Sequence, residues 1–139
     1  GGEYVEILNL GEAAIDLQGW RLAKRTASGA VSSCAIAVPP GAAMGPGAAA
    51  LVAGGAYDGR YALPAGVPVL TCGATALLGG IANDRAPELL LADPAGTVIA
   101  TFGAAGAPIC AAAAEKVDPS GPDLPENIAC TDGTPGAVP

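Results

Sequence analysis

Histidine is absent from these 139 residues, and that absence removes the Ser-His-Asp and Cys-His arrangements that activate a nucleophile. Ser28, Ser32, Ser33 and Ser120 lie outside any Gly-x-Ser-x-Gly context. The chain has no P-loop and no Gly-x-Gly-x-x-Gly following a strand. It also lacks any Cys-x-x-Cys pair, and without histidine this leaves no usual ligand set for structural zinc. The reading is of a chain without catalytic machinery, metal or cofactor.

Basic residues are scarce: six Lys and Arg stand against 13 Asp and Glu, for a net charge of −7. Such a chain repels phosphate backbones and anionic membrane surfaces. The one basic cluster, Arg21, Lys24 and Arg25, is too small to reverse that balance and reads as a solvated loop. Nucleic acid is therefore not an expected partner. No apolar stretch is long enough to span a bilayer. The acids Asp118, Asp123, Glu126 and Asp132 do not have EF-hand spacing and read as solvated turn residues. Large side chains are few, with one Met, one Trp, one Phe and three Tyr, and no run sustains a helical period.

What is abundant is punctuation. Twenty-one glycines and 13 prolines divide short apolar runs at intervals of roughly 8–15 residues, the pattern of an all-β chain. Ala48-Ala49-Ala50 and the run from Cys110 to Ala114 favour helix on propensity, but Gly and Pro bound them closely. They read as strand or loop. One domain is expected over 1–139, with an irregular Pro/Gly-rich segment at 118–139.

Glu3 to Leu22 is the most structured stretch. It alternates with Tyr4, Glu6 and Leu8 on one face and Val5, Ile7 and Asn9 on the other. It breaks at Asn9-Leu10-Gly11-Glu12, resumes as a strand at Ile15-Asp16-Leu17 and closes on Gly19-Trp20. Trp20, the sole tryptophan, and Leu17 are expected core anchors; truncating a buried Trp to Ala costs about 3–5 kcal/mol. Further strands are expected at Val31–Val38, Ala48–Ala53 and Val67–Cys72. Glu88–Ala92 and Thr97–Phe102 flank the turn Asp93-Pro94-Ala95-Gly96, whose Pro and Gly positions suit type I. Glu115-Lys116-Val117 reads as a final edge strand.

Cys34, Cys72, Cys110 and Cys130 are an even, widely spaced set, the usage of an oxidising compartment. Joining sequence neighbours pairs Cys34 with Cys72 and Cys110 with Cys130. Two other pairings stay open on sequence.

Four stretches resemble the lamin tail domain, an immunoglobulin-like β-sandwich, in particular its bacterial secreted versions. Glu3-Tyr4-Val5-Glu6-Ile7-Leu8-Asn9 is similar to the family's E-W-V-E-I-Y-N strand. Ile15-Asp16-Leu17-Gln18-Gly19-Trp20 is similar to V-D-L-S-G-W. Asn83-Asp84 through Ile99 resembles the family hairpin, although Ala86-Pro87-Glu88 replaces its usual Gly-Asp. Thr134-Pro135-Gly136-Ala137 resembles the family's T-P-G-A close. The resemblance implies an immunoglobulin-like sandwich lacking the first strand that the family places ahead of Glu3, and the cysteines, which stand outside the family pattern, read as an extracellular elaboration that staples it. That strand is upstream, removed, or supplied by another chain.

The functional expectation is a secreted structural or assembly domain, such as a surface or appendage subunit. Its interaction edge is Tyr4, Val5, Glu6, Ile7 and Leu8, and its partners are other protein chains, copies of itself included. The alternative is an accessory recognition module of a larger secreted protein, presenting Tyr57 and Tyr61 to a protein, glycan or cell-wall surface. The Gly1-Gly2 start reads as a processed or excised product whose export signal lies outside these residues.

Overall fold

The computed structural model describes residues 2–25, 28–81 and 88–133. Among them are nine strands: β1 (Tyr4–Leu8), β2 (Arg21–Arg25), β3 (Val31–Ala37), β4 (Ala49–Ala53), β5 (Val69–Cys72), β6 (Leu89–Ala92), β7 (Val98–Phe102), β8 (Ala113–Lys116) and β9 (Ile128–Thr131). Seven form one sheet in the order β1-β4-β5-β3-β2-β6-β7, and β8 pairs with β9 as a separate hairpin. Only β4 and β5 run parallel. The two ends of the seven-stranded sheet, β1 and β7, line one common groove, so the sheet curls round on itself without closing.

The core is built from small and aliphatic side chains. Leu22, Ile36, Leu51, Val52, Leu70, Cys72 and Leu77 are its largest fully buried members. Every residue of Ala49-Ala50-Leu51-Val52-Ala53 in β4 is buried. Close packing continues at Gly54, where an added Cβ would sit 2.1 Å from the Thr75 carbonyl oxygen and 2.6 Å from the Leu77 nitrogen. At Gly54 and Gly55, where an added Cβ would meet the Thr75 and Ala74 carbonyls, backbone lies on backbone and a larger side chain would not fit.

Two disulfides staple this frame. Cys34–Cys72 joins β3 to β5, with Cys72 in the core, and Cys110–Cys130 ties the approach to β8 onto β9. The β6–β7 hairpin turns as its sequence suggests. Gly96 N–H donates to the Asp93 carbonyl at 2.9 Å, and the Asp93 carboxylate accepts from the N–H groups of Ala95 and Thr97.

Three expectations are corrected. Ile15-Asp16-Leu17 is not a strand; it makes one isolated bridge, Ile15 to Met44. Its backbone turns instead, because Asp16 accepts from Gln18 N–H at 2.9 Å and Leu17 O accepts from Trp20 N–H at 3.1 Å. The segment from 118 is more regular than its composition suggests: it contains a 3-10 turn (Pro125–Asn127) and β9. Buried Asn127 organises it, donating to the carbonyls of Asp118 and Pro122 and accepting from Asp118 N–H. Arg21, Lys24 and Arg25 lie on β2 rather than in a loop, with Arg21 donating to Ser33 Oγ and Lys24 to the Gly80 carbonyl. Asn83-Asp84, Ala86-Pro87 and Thr134–Ala137 fall outside the described residues.

Gly54→Ala should destabilise the domain by about 2–3 kcal/mol, the upper range of overpacking, because backbone rather than a flexible side chain meets the methyl. Gly45→Ala, where nothing lies within 4 Å, should leave the thermal midpoint within a few degrees. Equal losses in the two variants would contradict the steric reading.

Candidate docking groove along the first strand

Strand β1 pairs with β4 from Tyr4↔Ala53 to Leu8↔Ala49 and occupies one end of the sheet. Which way its peptide groups point follows from two flanking bonds. Asn9 N–H donates to the Ala48 carbonyl at 2.9 Å, so position 9 faces β4; Leu51 N–H donates to the Pro68 carbonyl, so position 51 of β4 faces away from β1. In an antiparallel ladder residues two apart point the same way. Val5 and Ile7 therefore bond to β4, and the peptide groups of Tyr4, Glu6 and Leu8 are directed outward. The side chains divide as the alternation suggests: Val5 and Ile7 pack against the core, and Tyr4 takes the opposite face.

Asn9 fixes the end of this strand. It is 3% exposed, and its amide donates to the carbonyls of Ala13 at 2.9 Å, Met44 at 3.1 Å and Gly45 at 3.2 Å, while Oδ1 accepts from Gly11 N–H. Sequence reading treats this residue as a strand breaker. The structure makes it the clip that holds the β1 exit to the 44–48 segment. Its chain position, ending an alternating strand ahead of a turn, is the signal that could have found it.

Beside β1 runs an open groove of about 590 Å³. It reaches the core at Leu17, Leu22, Met44 and Leu91, with Trp20 at its side, and is bounded by Ile99–Phe102 of β7 and Ala112–Lys116 around β8. Trp20 and Leu17 accordingly sit where a core and a groove meet: Leu17 is buried and Trp20 half-buried. The β8–β9 hairpin is held near β7 by a small polar network. Lys116 Nζ lies 3.1 Å from Asp123 Oδ1, and Thr101 Oγ1 donates to Asp123. The acids of this segment are thus separated in use, with Asp123 paired to Lys116 and Asp118 accepting from Ser120.

The aromatic residues form a second cluster at the mouth. Tyr4 and Tyr61 meet edge to face at 5.1 Å between ring centres, and Tyr57 stacks on Tyr61 at 6.1 Å. Tyr61 donates its hydroxyl to the Gly2 carbonyl at 2.8 Å, and the Tyr57 hydroxyl oxygen accepts from Tyr61 N–H. These rings pack on one another instead of standing out as a platform. Burial, reinforced by Tyr61 and by the carboxylates of Glu6, Glu115 and Asp132, pushes the Tyr4 hydroxyl up to about 12. On the surface nearby, Arg60 clasps the Asp58 carboxylate at 2.8 Å and holds it down at about 2; both groups are exposed and add little to stability.

Residues 1–106 match the family model of the Lamin Tail Domain. The chain belongs to the lamin tail domain family. The match takes in β1 through β7 and so covers the whole seven-stranded sheet. It places this sheet in an immunoglobulin-like, non-catalytic domain family. The lamin tail match ends before β8, so the β8–β9 hairpin and the Cys110–Cys130 bridge lie outside it, as does Thr134–Ala137. Among curated proteins no sequence matches the chain.

The raised Tyr4 hydroxyl carries a testable sign. The folded state keeps its proton above the ordinary value of 10, so Tyr4 contributes stability that is full below pH 10 and is lost as pH rises from 10 through about 12. The thermal midpoint should therefore fall more steeply across that window in the wild-type lamin tail domain than in Tyr4→Phe. Parallel alkaline profiles would remove Tyr4 from the account.

Proposed function

We propose that the domain is a non-catalytic, extracellular association module that accepts an extended segment of another protein chain along β1. One observation carries this reading: the end strand of the sheet turns peptide groups outward beside an apolar groove. Exposed strand ends are what other chains add to, with main-chain bonds giving affinity and the alternating side chains giving specificity. Two disulfides are compatible with an oxidising, extracellular setting. No helix among the described residues is long and apolar enough to cross a membrane. The alternative of a recognition module built on Tyr57 and Tyr61 draws no support from the packing of those rings on each other and on Tyr4.

The protein isolated from its native source should sediment as a complex joined at β1, with a copy of itself or with another chain. Glu6→Pro removes an outward N–H while leaving the Val5 and Ile7 bonds to β4 in place. It should release the monomer with the thermal midpoint changed by only a few degrees. A native protein that is monomeric throughout, or a Glu6→Pro complex that sediments unchanged, would overturn the proposal.

A further inference from the structure

The two disulfides differ in how open they are to a thiol, and the more open one closes the hairpin that walls the groove. Cys72 is fully buried in β5, and Cys34 packs against the core. Cys130 is exposed, and its partner Cys110 lines the groove. Exchange requires a thiolate to reach one sulfur and the other sulfur to leave as a thiolate, so access and the leaving group decide which bond opens. Attack on Cys34 would expel the Cys72 thiolate into the apolar core, where burial disfavours its charge. Attack on Cys130 comes from solvent and expels Cys110 at the groove. Cys110–Cys130 is the bond a thiol opens first.

What that bond holds is a strap between the two ends of the sheet. Near β1, a Cβ added at Gly133 would sit 3.9 Å from the Tyr4 hydroxyl, and Glu115 and Asp132 lie near the same hydroxyl. Near β7, Asp123 accepts from Thr101 Oγ1. Among the described residues, neither β8 nor β9 pairs with a strand of the sheet. Four residue pairs join them, from Ala113↔Thr131 to Lys116↔Ile128, and a two-stranded hairpin of this kind is marginal alone. Asn127 and the Lys116–Asp123 pair organise its closed end; Cys110–Cys130 clamps its open end, beside the Ala114↔Cys130 pair. We propose that Cys110–Cys130 is a thiol-controlled latch: reduction by an external dithiol frees β9 and its Gly133 end from the groove while the seven-stranded sheet stays folded. One thiolate of the dithiol attacks Cys130 Sγ, and Cys110 leaves and takes up a proton. The second thiol then displaces Cys130 from the mixed disulfide. The dithiol ends as a disulfide, and two electrons and two protons have passed to Cys110 and Cys130. The latch works on the strap whether or not β1 carries a partner.

Trp20 is the only tryptophan and lines the groove, so quenching of its fluorescence by acrylamide reads the strap without a label. The protein is titrated with dithiothreitol, and the released thiols are alkylated and located by mass spectrometry. Cys110 and Cys130 should open at a concentration about tenfold or more below that needed for Cys34 and Cys72. Across that first step the Trp20 quenching constant should rise about twofold, and the amides of Glu115 and Ala129, which bond across the hairpin, should exchange about tenfold faster or more. The Ile36 amide, which donates to the Trp20 carbonyl at 2.7 Å, should stay protected. The double variant Cys110→Ser/Cys130→Ser should match the reduced protein with no reductant present and with Cys34–Cys72 intact. Both bonds opening together would overturn the latch. So would Trp20 quenching and Glu115 and Ala129 exchange that stay as in the oxidised protein. Loss of Ile36 protection in the first step or in the double variant would make the bond a support of the whole fold, and would overturn it as well.

Discussion

A sheet that curls without closing leaves two ends, and everything distinctive about this domain follows from where those ends lie. Here β1 and β7, the first and last of the seven strands in the sheet order, border the same groove. Among the described residues, the one strand paired with β1 is β4. What keeps it from fraying is the inward packing of Val5 and Ile7 and the Asn9 clip at its exit. Removing the Asn9 amide would strip a donor from the Met44 and Gly45 carbonyls, which keep the N–H groups of Ile15 and Ala48, and would loosen the join between the β1 exit and the 44–48 segment. The exit of β1 is thus anchored by a side chain that lies just outside the strand.

The rest of the molecule compensates for a light core. With one tryptophan, one phenylalanine and one methionine, little apolar area is available per residue, and the sheet depends on close backbone approach at Gly54 and along β4. The two disulfides span sequence separations of 38 and 20 residues. Each contributes about 3–4 kcal/mol in the chain-entropy model. Their positions differ in meaning. Cys34–Cys72 reinforces the sheet inside the residues matched to the lamin tail family, and Cys110–Cys130 secures a hairpin outside them, which forms one wall of the groove.

Much of this was legible in the sequence where two local signals agreed. The alternation of Tyr4–Leu8 gave the right faces, and Asp93-Pro94-Ala95-Gly96 gave the right turn, because pattern and turn chemistry pointed the same way. Ala49–Ala53 could be read as strand only through its flanking glycines, against its own propensity. β9 was hidden because Ile128–Thr131 is short and forms through tertiary pairing with β8 and the hydrogen bonds of Asn127. Ile15–Leu17 looked like a strand because its apolar spacing is right, yet Asp16 competes for the backbone and turns it. Of the groove, the β1 wall was readable and the opposite wall was not. Thr101, Lys116 and Asp123 meet only because the curl and the hairpin bring them together.

The central claim is that β1 is completed by another chain, and amide hydrogen exchange reads it residue by residue. Val5, Ile7 and Asn9 face β4 and should be protected in the isolated domain and in the native complex alike. Tyr4 and Leu8 face outward, so their amides should exchange rapidly in the isolated domain and become protected when the complex forms. Protection of Tyr4 and Leu8 that is the same in both states would contradict the account.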